Sequence, residues 1–170
     1  MLPSPLVLAT GNPGKAAEWR DLLADHGVEV RDRPAGPEPD EHGASVEENA
    51  WIKALAAAQA SGLPAIADDI ALEVLALQGR PGVHLRRWAD DLGGWSAAID
   101  ELVRCAENTP ARYLCGVALV WPDGSGAQVV AAAVGKVVRP IGPGVGIEPC
   151  LHPDGEPGPL STLDPERRRR

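Results

Sequence analysis

The sequence contains no phenylalanine, and aromatic residues of all kinds make up only 4% of its 170 residues. Hydrophobic residues still reach 44%, so a core can form, but it must be built mainly from alanine, valine and leucine. A chain of this length is expected to fold as one domain, which we assign to residues 1–170. Residues 140–170 are rich in proline and glycine without an apolar period, so we expect irregular structure there, as loop or partly disordered chain.

Positive charge is also scarce. The chain has 16 basic and 24 acidic residues, a net charge of −8, and four of the basic residues are the arginines at positions 167–170. A protein that binds nucleic acid through its phosphates needs an excess of lysine and arginine on the contacting face. The composition therefore excludes a broad nucleic-acid groove. The arginine run at 167–170 can make a small phosphate contact, although an exposed tail explains it equally well.

Cysteines and long apolar runs are few. Cys105, Cys115 and Cys150 are an odd number without CxxC spacing, which argues against a disulfide framework or a zinc site. No charged-then-apolar leader and no apolar run of about 18 residues is present. We therefore expect a cytoplasmic protein with reduced thiols and no membrane partner.

Apolar patterning predicts alternating strands and helices. Residues 33–43 are expected to form an exposed loop, residues 78–87 a loop rich in glycine and arginine, and residues 122–126 a hairpin turn. Ser45 followed by Glu48 is a capping box that opens an alanine-rich helix. Strands are predicted at 6–9, 28–30, 65–67, 72–77, 111–121 and 127–138, and helices after residue 15, at 46–61 and at 96–107. This order favours a mixed α/β sheet flanked by helices.

A glycine-containing turn, Thr-Gly-Asn-Pro-Gly-Lys at residues 10–15, connects the first strand to the first helix. The amides of such a turn and the positive end of the helix dipole favour a bound phosphate. Lys15 adds a point charge for a terminal phosphate. The spacing is not that of a Walker motif, and a plain strand-to-helix turn with an exposed lysine is the alternative.

The start of the second helix carries Glu48 and Lys53 within its first turns. One of these groups can face a metal ion while the other faces a phosphate. The capping role of Glu48 is by itself a sufficient structural explanation for that residue.

Two adjacent carboxylates, Asp68 and Asp69, follow the predicted strand at 65–67. They repel each other unless a cation or a proton joins them. One can bind Mg²⁺ while the other orients or deprotonates a water for attack on phosphorus. A solvated turn is the alternative for the pair alone, but the three motifs together favour phosphate hydrolysis.

These motifs, in this order, resemble those of the inosine triphosphatase or Ham1 family of noncanonical purine nucleoside triphosphate pyrophosphatases. The matching segments are Ala-Thr-Gly-Asn-Pro-Gly-Lys at 9–15, Glu-Asn-Ala-Trp-Ile-Lys-Ala at 48–54, Leu-Pro-Ala-Ile-Ala-Asp-Asp at 63–69, Leu-Glu-Val at 72–74, Pro-Gly-Val at 81–83 and Pro-Asp-Gly at 122–124. The resemblance covers most of the chain.

The resemblance implies an elongated mixed α/β sheet in two lobes with a central cleft, usually in a homodimer. It also implies Mg²⁺-dependent hydrolysis of a nucleoside triphosphate to the monophosphate and pyrophosphate. The base that activates water would be Asp69, and the metal ligands would be Glu48 and Asp68. Substrate contacts would come from Thr10, Gly11, Asn12, Lys15, Lys53, Arg87, Glu148 and Arg168.

The chain also departs from the family pattern. Ile70 and Ala71 replace the serine and glycine that follow the two aspartates in the family, and Val145 replaces an aromatic ring that stacks on the purine. The sequence ends before the family's Ser-His-Arg segment, which reads the purine. We therefore expect a pyrophosphohydrolase with an intact phosphate half and an altered base half, acting on a noncanonical or specialised purine nucleoside triphosphate. The alternative is a catalytically weak nucleotide-binding or regulatory homologue, or an accessory subunit.

Overall fold

The structure, a computed structural model, describes residues 2–164 and Arg167. Its strands are β1 (Leu6–Leu8), β2 (Val30–Asp32), β3 (Ala65–Val74), β4 (Pro81–Gly82), β5 (Pro110–Val120), β6 (Gly126–Val137) and β7 (Leu151–Pro153). Its α-helices are α1 (Pro13–Ala24), α2 (Val46–Ser61), α3 (Leu85–Asp91) and α4 (Trp95–Ala106). Short 3-10 helices occupy Leu75–Leu77, Glu148–Cys150 and Leu160–Thr162.

The strands form a single sheet in the order β2-β1-β3-β5-β6-β7, with β4 pairing to β3. Strand β1 pairs in parallel with β2 and β3, whereas the β3–β4 and β6–β7 pairs are antiparallel. The predicted mixed α/β architecture is therefore confirmed. In the part of the chain that the structure describes, no helix is long and apolar enough to cross a membrane. The cytoplasmic location stays a prediction.

The chain divides into two compact units. The first comprises residues 1–69 and 115–131, and the second comprises residues 70–114 and 132–170. The prediction of a single domain over residues 1–170 stays a prediction. Within the segment expected to be irregular, residues 140–164 contain β7 and two of the 3-10 helices.

In the first unit, β1 has a helix on each of its faces. Its residues Leu6 and Leu8 share a buried cluster with residues of α1, whereas Val7 lies in a cluster with the alanines of α2. Successive strand side chains point to opposite faces, so the continuous apolar run of β1 reflects burial on both sides. Both helices are thereby fixed against the same strands.

The second unit has its own core. Its cluster draws residues from β3, α4, β6 and β7. Four of them are each at most 1% exposed: Leu72, Leu102, Val137 and Leu151. Ile70 is partly buried and packs against this cluster, and Ala71 is 1% exposed. The positions at which the chain departs from the Asp-Asp-Ser-Gly pattern therefore carry apolar packing.

Helix α2 begins at the predicted cap. The Ser45 hydroxyl accepts the Glu48 N–H at 3.3 Å, and the Glu48 carboxylate accepts the Ala44 N–H at 2.7 Å. The helix ends at Gly62, whose φ of 70° is left-handed and suits glycine. The polar residues of the first two turns of α2 are therefore held in a defined orientation.

The prediction that Asp68 and Asp69 end a strand is wrong. Strand β3 continues without a break through both residues to Val74, because Ile70, Leu72 and Val74 keep an alternating apolar pattern that packs into the second unit. The predicted strand at 72–77 is the end of β3 followed by a 3-10 helix, and the predicted loop at 78–87 contains β4 and the start of α3. Since neighbouring strand residues face opposite ways, the two carboxylates lie on opposite faces of β3.

Candidate active site

The glycine-containing turn is ordered by its own polar side chains. The N-cap of α1 is Asn12, whose Oδ1 accepts the N–H groups of Gly14 at 2.9 Å and Lys15 at 3.5 Å. The Thr10 hydroxyl accepts the Asn12 N–H at 3.1 Å, and Pro13 occupies the first helical position, where no N–H is needed. Thr10 and Asn12 therefore shape the turn, and the amide of Gly11 is left to bind another group.

The Gly11 amide binds a carboxylate. Its N–H donates to Glu38 Oε1 at 3.0 Å, and a β-carbon at position 11 would collide with that oxygen. Glu38 belongs to the loop at 33–43, in which Arg33 donates to the carbonyls of Gly36 at 2.8 Å and Pro37 at 3.3 Å. An anionic oxygen thus already occupies the amide that the sequence predicts to bind phosphate.

Both carboxylate oxygens of Asp68 are engaged by side chains of α1. Lys15 Nζ forms an ion pair with Oδ2, and the indole N–H of Trp19 donates to Oδ1 at 3.0 Å. Lys15 and Trp19 are four residues apart and so project from one face of the helix. The Asp68 side chain is 7% exposed, so this carboxylate is well shielded from water.

On the other face of β3, Asp69 is held by α2. Lys53 Nζ donates to Oδ1 at 2.7 Å, and Asn49 Nδ2 donates to Oδ2 at 3.2 Å. Asn49 is 2% exposed, and its carbonyl oxygen accepts the Gly43 N–H at 2.8 Å. Asn49 therefore ties the end of the loop at 33–43 to the predicted catalytic carboxylate.

The environment of Lys53 favours its charged form. Burial, the largest single influence, lowers the pKa of Lys53, but the charge and hydrogen bond of Asp69 together with the charges of Glu41 and Asp68 raise it above its ordinary value. Glu41 Oε1 lies 3.4 Å from Lys53 Nζ. Lys53 therefore stays protonated at neutral pH, as a phosphate-binding lysine must.

Cys115, on β5 beside β3, lies within electrostatic reach of both aspartate–lysine pairs. Burial raises the pKa of its thiol most, the charges of Asp68 and Asp69 raise it further, and those of Lys15 and Lys53 oppose them. The thiol thus stays protonated. The charges of both pairs therefore act on this one side chain, and we refer to the two aspartate–lysine pairs and the residues that contact them as the charged centre.

The predicted metal ligands Glu48 and Asp68 are carboxylates, the donor type that Mg²⁺ prefers. Among residues 2–164 and Arg167 there is no group of three or more His, Cys, Asp or Glu side chains arranged to hold a metal. Magnesium is commonly held by only one or two carboxylates together with substrate phosphates and waters. Glu48 and Asp68 are therefore each of the donor type that Mg²⁺ takes when a phosphorylated substrate and waters supply its remaining ligands.

Two further predicted substrate contacts, Arg87 and Glu148, lie in the second unit of the chain. Arg87 is an exposed residue of α3, and the Glu148 carboxylate accepts the Val145 N–H at 3.2 Å. Val145, which stands where the family has a stacking ring, is 64% exposed. Arg168 lies outside the described residues. The structure brings together Lys15 with Asp68 and Lys53 with Asp69, while Thr10, Gly11 and Asn12 form the turn before Lys15.

Four residues of this centre had no functional role in the sequence interpretation. Trp19 and Asn49 each lie four residues from a predicted phosphate-binding lysine, so helical spacing could have identified them. Glu38 and Glu41 come from a loop whose conformation no periodic pattern specifies, and no sequence signal marks them.

A turn that binds an anionic oxygen through a backbone N–H just before a helix, next to partly buried lysine–carboxylate pairs, is the kind of site that binds and cleaves phosphate compounds. The model of the Ham1 family matches residues 6–170. The chain therefore belongs to the Ham1 family, as the motifs predict.

Curated relatives and solved structures agree with this assignment. A dITP/XTP pyrophosphatase from Rhodospirillum centenum is 42% identical, covering 96% of this chain and 85% of the relative. One from Rhodopseudomonas palustris is 43% identical, covering 88% and 77%. The HAM1 protein of Coxiella burnetii has a TM-score of 0.78 at 29% identity, covering 98% of this chain and 90% of that one. The Ham1 protein of Staphylococcus aureus has a TM-score of 0.81 at 26% identity, with the same two coverages.

Proposed function

We propose that the protein is a Mg²⁺-dependent pyrophosphohydrolase that cleaves a noncanonical purine nucleoside triphosphate, such as dITP or XTP, to the monophosphate and pyrophosphate. The predicted enzyme class, nucleoside triphosphate pyrophosphatase, is confirmed by curated relatives at about 40% identity. The observation that carries the proposal for this chain is the Glu38 carboxylate on the Gly11 amide, because an N–H that binds a carboxylate oxygen in the turn before α1 supports phosphate binding there.

Substrate binding is proposed to exchange carboxylates for phosphates. A phosphate oxygen takes the place of Glu38 at the Gly11 N–H. Lys15 and Lys53, now paired with Asp68 and Asp69, swing their flexible side chains to the triphosphate. Each lysine thereby stabilises phosphate charge and releases one carboxylate oxygen for its own task.

Asp69 is proposed as the general base. Once Lys53 has moved to the phosphates, Oδ1 is free to accept a proton from water, while the Asn49 amide continues to hold Oδ2. The water oxygen bonds to phosphorus, the anhydride bond between the α and β phosphates breaks, and pyrophosphate leaves with the bonding electrons. The lysines stabilise the charge that develops on the leaving group.

Asp68 and Glu48 are the residues proposed to hold Mg²⁺. When bound, the metal would neutralise phosphate charge and polarise a phosphoryl oxygen. Asp68 can contribute Oδ2 after Lys15 has moved, since Trp19 occupies only Oδ1. Glu48 can contribute Oε1, because the Ala44 N–H binds Oε2.

A homodimer is the proposed assembly, supported by β6. Its neighbouring residues Val129 and Val130, which face opposite ways, are 66% and 42% exposed. Val134, four residues after Val130 and therefore on the same face, is 54% exposed, and a contiguous exposed apolar patch is typical of a surface that another chain covers. Light scattering on the purified protein tests this: the proposal expects a dimer that Val129→Lys weakens, and a wild-type monomer at all concentrations contradicts it.

The catalytic proposal is tested with dITP, XTP, ITP and the four common ribonucleoside triphosphates in the presence of Mg²⁺. The expected product is pyrophosphate rather than orthophosphate, and Asp69→Asn is the matched variant that excludes a contaminating enzyme. If no triphosphate is turned over and Asp69→Asn behaves as the parent, the proposal is wrong.

A second candidate is a nucleotide-binding protein with weak or no hydrolysis. The observation that favours it is that both carboxylates are fully engaged by lysine and neutral donors. Saturable nucleotide binding without product would support this alternative, whereas rapid pyrophosphate release would exclude it.

A further inference from the structure

The indole of Trp19 is fixed by the core rather than by the solvent-facing turn. Its ring packs against the buried cluster of the first unit that includes Leu6, Leu8 and Leu23. Only its N–H reaches a polar atom, Oδ1 of Asp68, at 3.0 Å. The indole is therefore a rigid donor with a fixed position relative to β3.

The two donors to Asp68 differ in mobility and in charge. Lys15 is a charged group on a flexible stem, with its side chain 28% exposed, and it can leave when a phosphate offers more charge. Trp19 is neutral and anchored, so it can remain while a cation binds the other oxygen, without adding a positive charge that would compete.

We propose that Trp19 is a positioning residue: it holds Oδ1 of Asp68 so that Oδ2 stays directed toward the Lys15 side when Lys15 transfers to substrate. The inference rests on the proposed function, in which Asp68 binds the metal. The indole N–H of a tryptophan in the interior commonly donates to an acceptor simply because a buried donor needs a hydrogen-bond partner. The experiments below separate that structural role from positioning of Asp68.

The contact itself is tested by NMR of the full-length ¹⁵N-labelled protein. The indole N–H signal that disappears in Trp19→Phe identifies the residue. This signal is expected to move strongly in Asp68→Asn and little in Asp21→Asn, which removes the same charge from an exposed position on α1. It is also expected to shift on titration with Mg²⁺ and pyrophosphate. An indole signal that is indifferent to Asp68→Asn overturns the proposal.

The positioning role is tested by the metal dependence of Trp19→Phe, which keeps a ring but lacks the donor. Groups that orient a metal-binding carboxylate commonly contribute about tenfold or more to metal affinity. We expect half-saturation by Mg²⁺ to rise about tenfold, with a smaller change in kcat, and Trp19→His, which retains a ring donor, to recover part of it. Trp88→Phe, in a different cluster, serves as the control for the same chemical change.

Each outcome is decisive. If Trp19→Phe and Trp19→His lose metal affinity equally, the role is packing and the proposal is overturned. If Trp19→Phe loses the folded NMR spectrum, the Asp68→Asn shift and the partial recovery in Trp19→His still decide. If the wild type releases no pyrophosphate, the proposed function fails, and Mg²⁺ titration followed at the Trp19 signal still determines whether Trp19 positions a metal-binding carboxylate.

Discussion

Removing the Glu38 carboxylate is expected to tighten nucleotide binding. In the free protein this side chain accepts the Gly11 N–H at 3.0 Å, so a substrate phosphate has to displace it. Because Glu38 is exposed, this hydrogen bond is open to water and contributes about 1 kcal/mol net. Relieving that competition corresponds to about a fivefold lower KM.

The assay compares KM and product inhibition by pyrophosphate in Glu38→Ala, Glu38→Gln and Glu18→Ala. Glu38→Ala is expected to lower KM with little change in kcat, because Glu38 has no role in the bond-breaking step. Glu38→Gln keeps an acceptor and loses the charge, so it separates the two effects. Glu18 is an exposed acid on α1, and its removal controls for general charge. A KM that is unchanged or higher in Glu38→Ala refutes the reasoning.

Three further results are expected. Asp69→Asn should lower kcat about 10²- to 10⁴-fold, as removal of a general base does, and leave nucleotide affinity, measured by calorimetry, nearly intact. Asn49→Ala should lower the free energy of unfolding, measured by urea denaturation, by about 1–3 kcal/mol, because the Gly43 N–H and Asp69 lose a buried partner. The control Gln59→Ala, at an exposed position of α2, should have the same free energy of unfolding as the parent. The pKa of Lys53 is raised in the folded protein, so its protonated form adds stability below the ordinary lysine pKa of 10.5, and this contribution is lost as pH rises through the folded-state pKa. The difference in unfolding free energy between the parent and Lys53→Met should therefore shrink above pH 10.5. A difference that stays constant with pH contradicts this prediction.

Local signals were sufficient to predict α2. Ser45, Glu48 and Gly62 mark its ends, and the structure uses all three as caps. Such features depend on residues within one turn of each other, and for that reason they can be read from the sequence without knowledge of the fold.

Contacts between distant segments could not be predicted in this way. Glu38 and Gly11 are 27 residues apart, and Asn49 and Asp69 are 20 apart, so their meeting depends on how the helices pack rather than on periodicity. The continuation of β3 after Asp69 was equally hard to predict. No turn residue follows Asp69, and a β-prone sequence does not by itself show whether one strand continues or a second strand begins. The positions of Asp68 and Asp69 on opposite faces follow only once β3 is known to be continuous.

The alanines between α2 and the sheet act as a spacer of fixed thickness. Ala50 and Ala54 on the helix and Ala65 and Ala67 on β3 are each at most 2% exposed and belong to one buried cluster, so the side chains that these positions place between helix and strand are methyl groups. That thin layer lets an amide as short as Asn49 span the gap to β3. Larger side chains at these positions would widen the gap beyond the tolerance of a hydrogen bond, and the shortage of bulky residues in this chain thus sets the distance across which Asn49 binds Asp69.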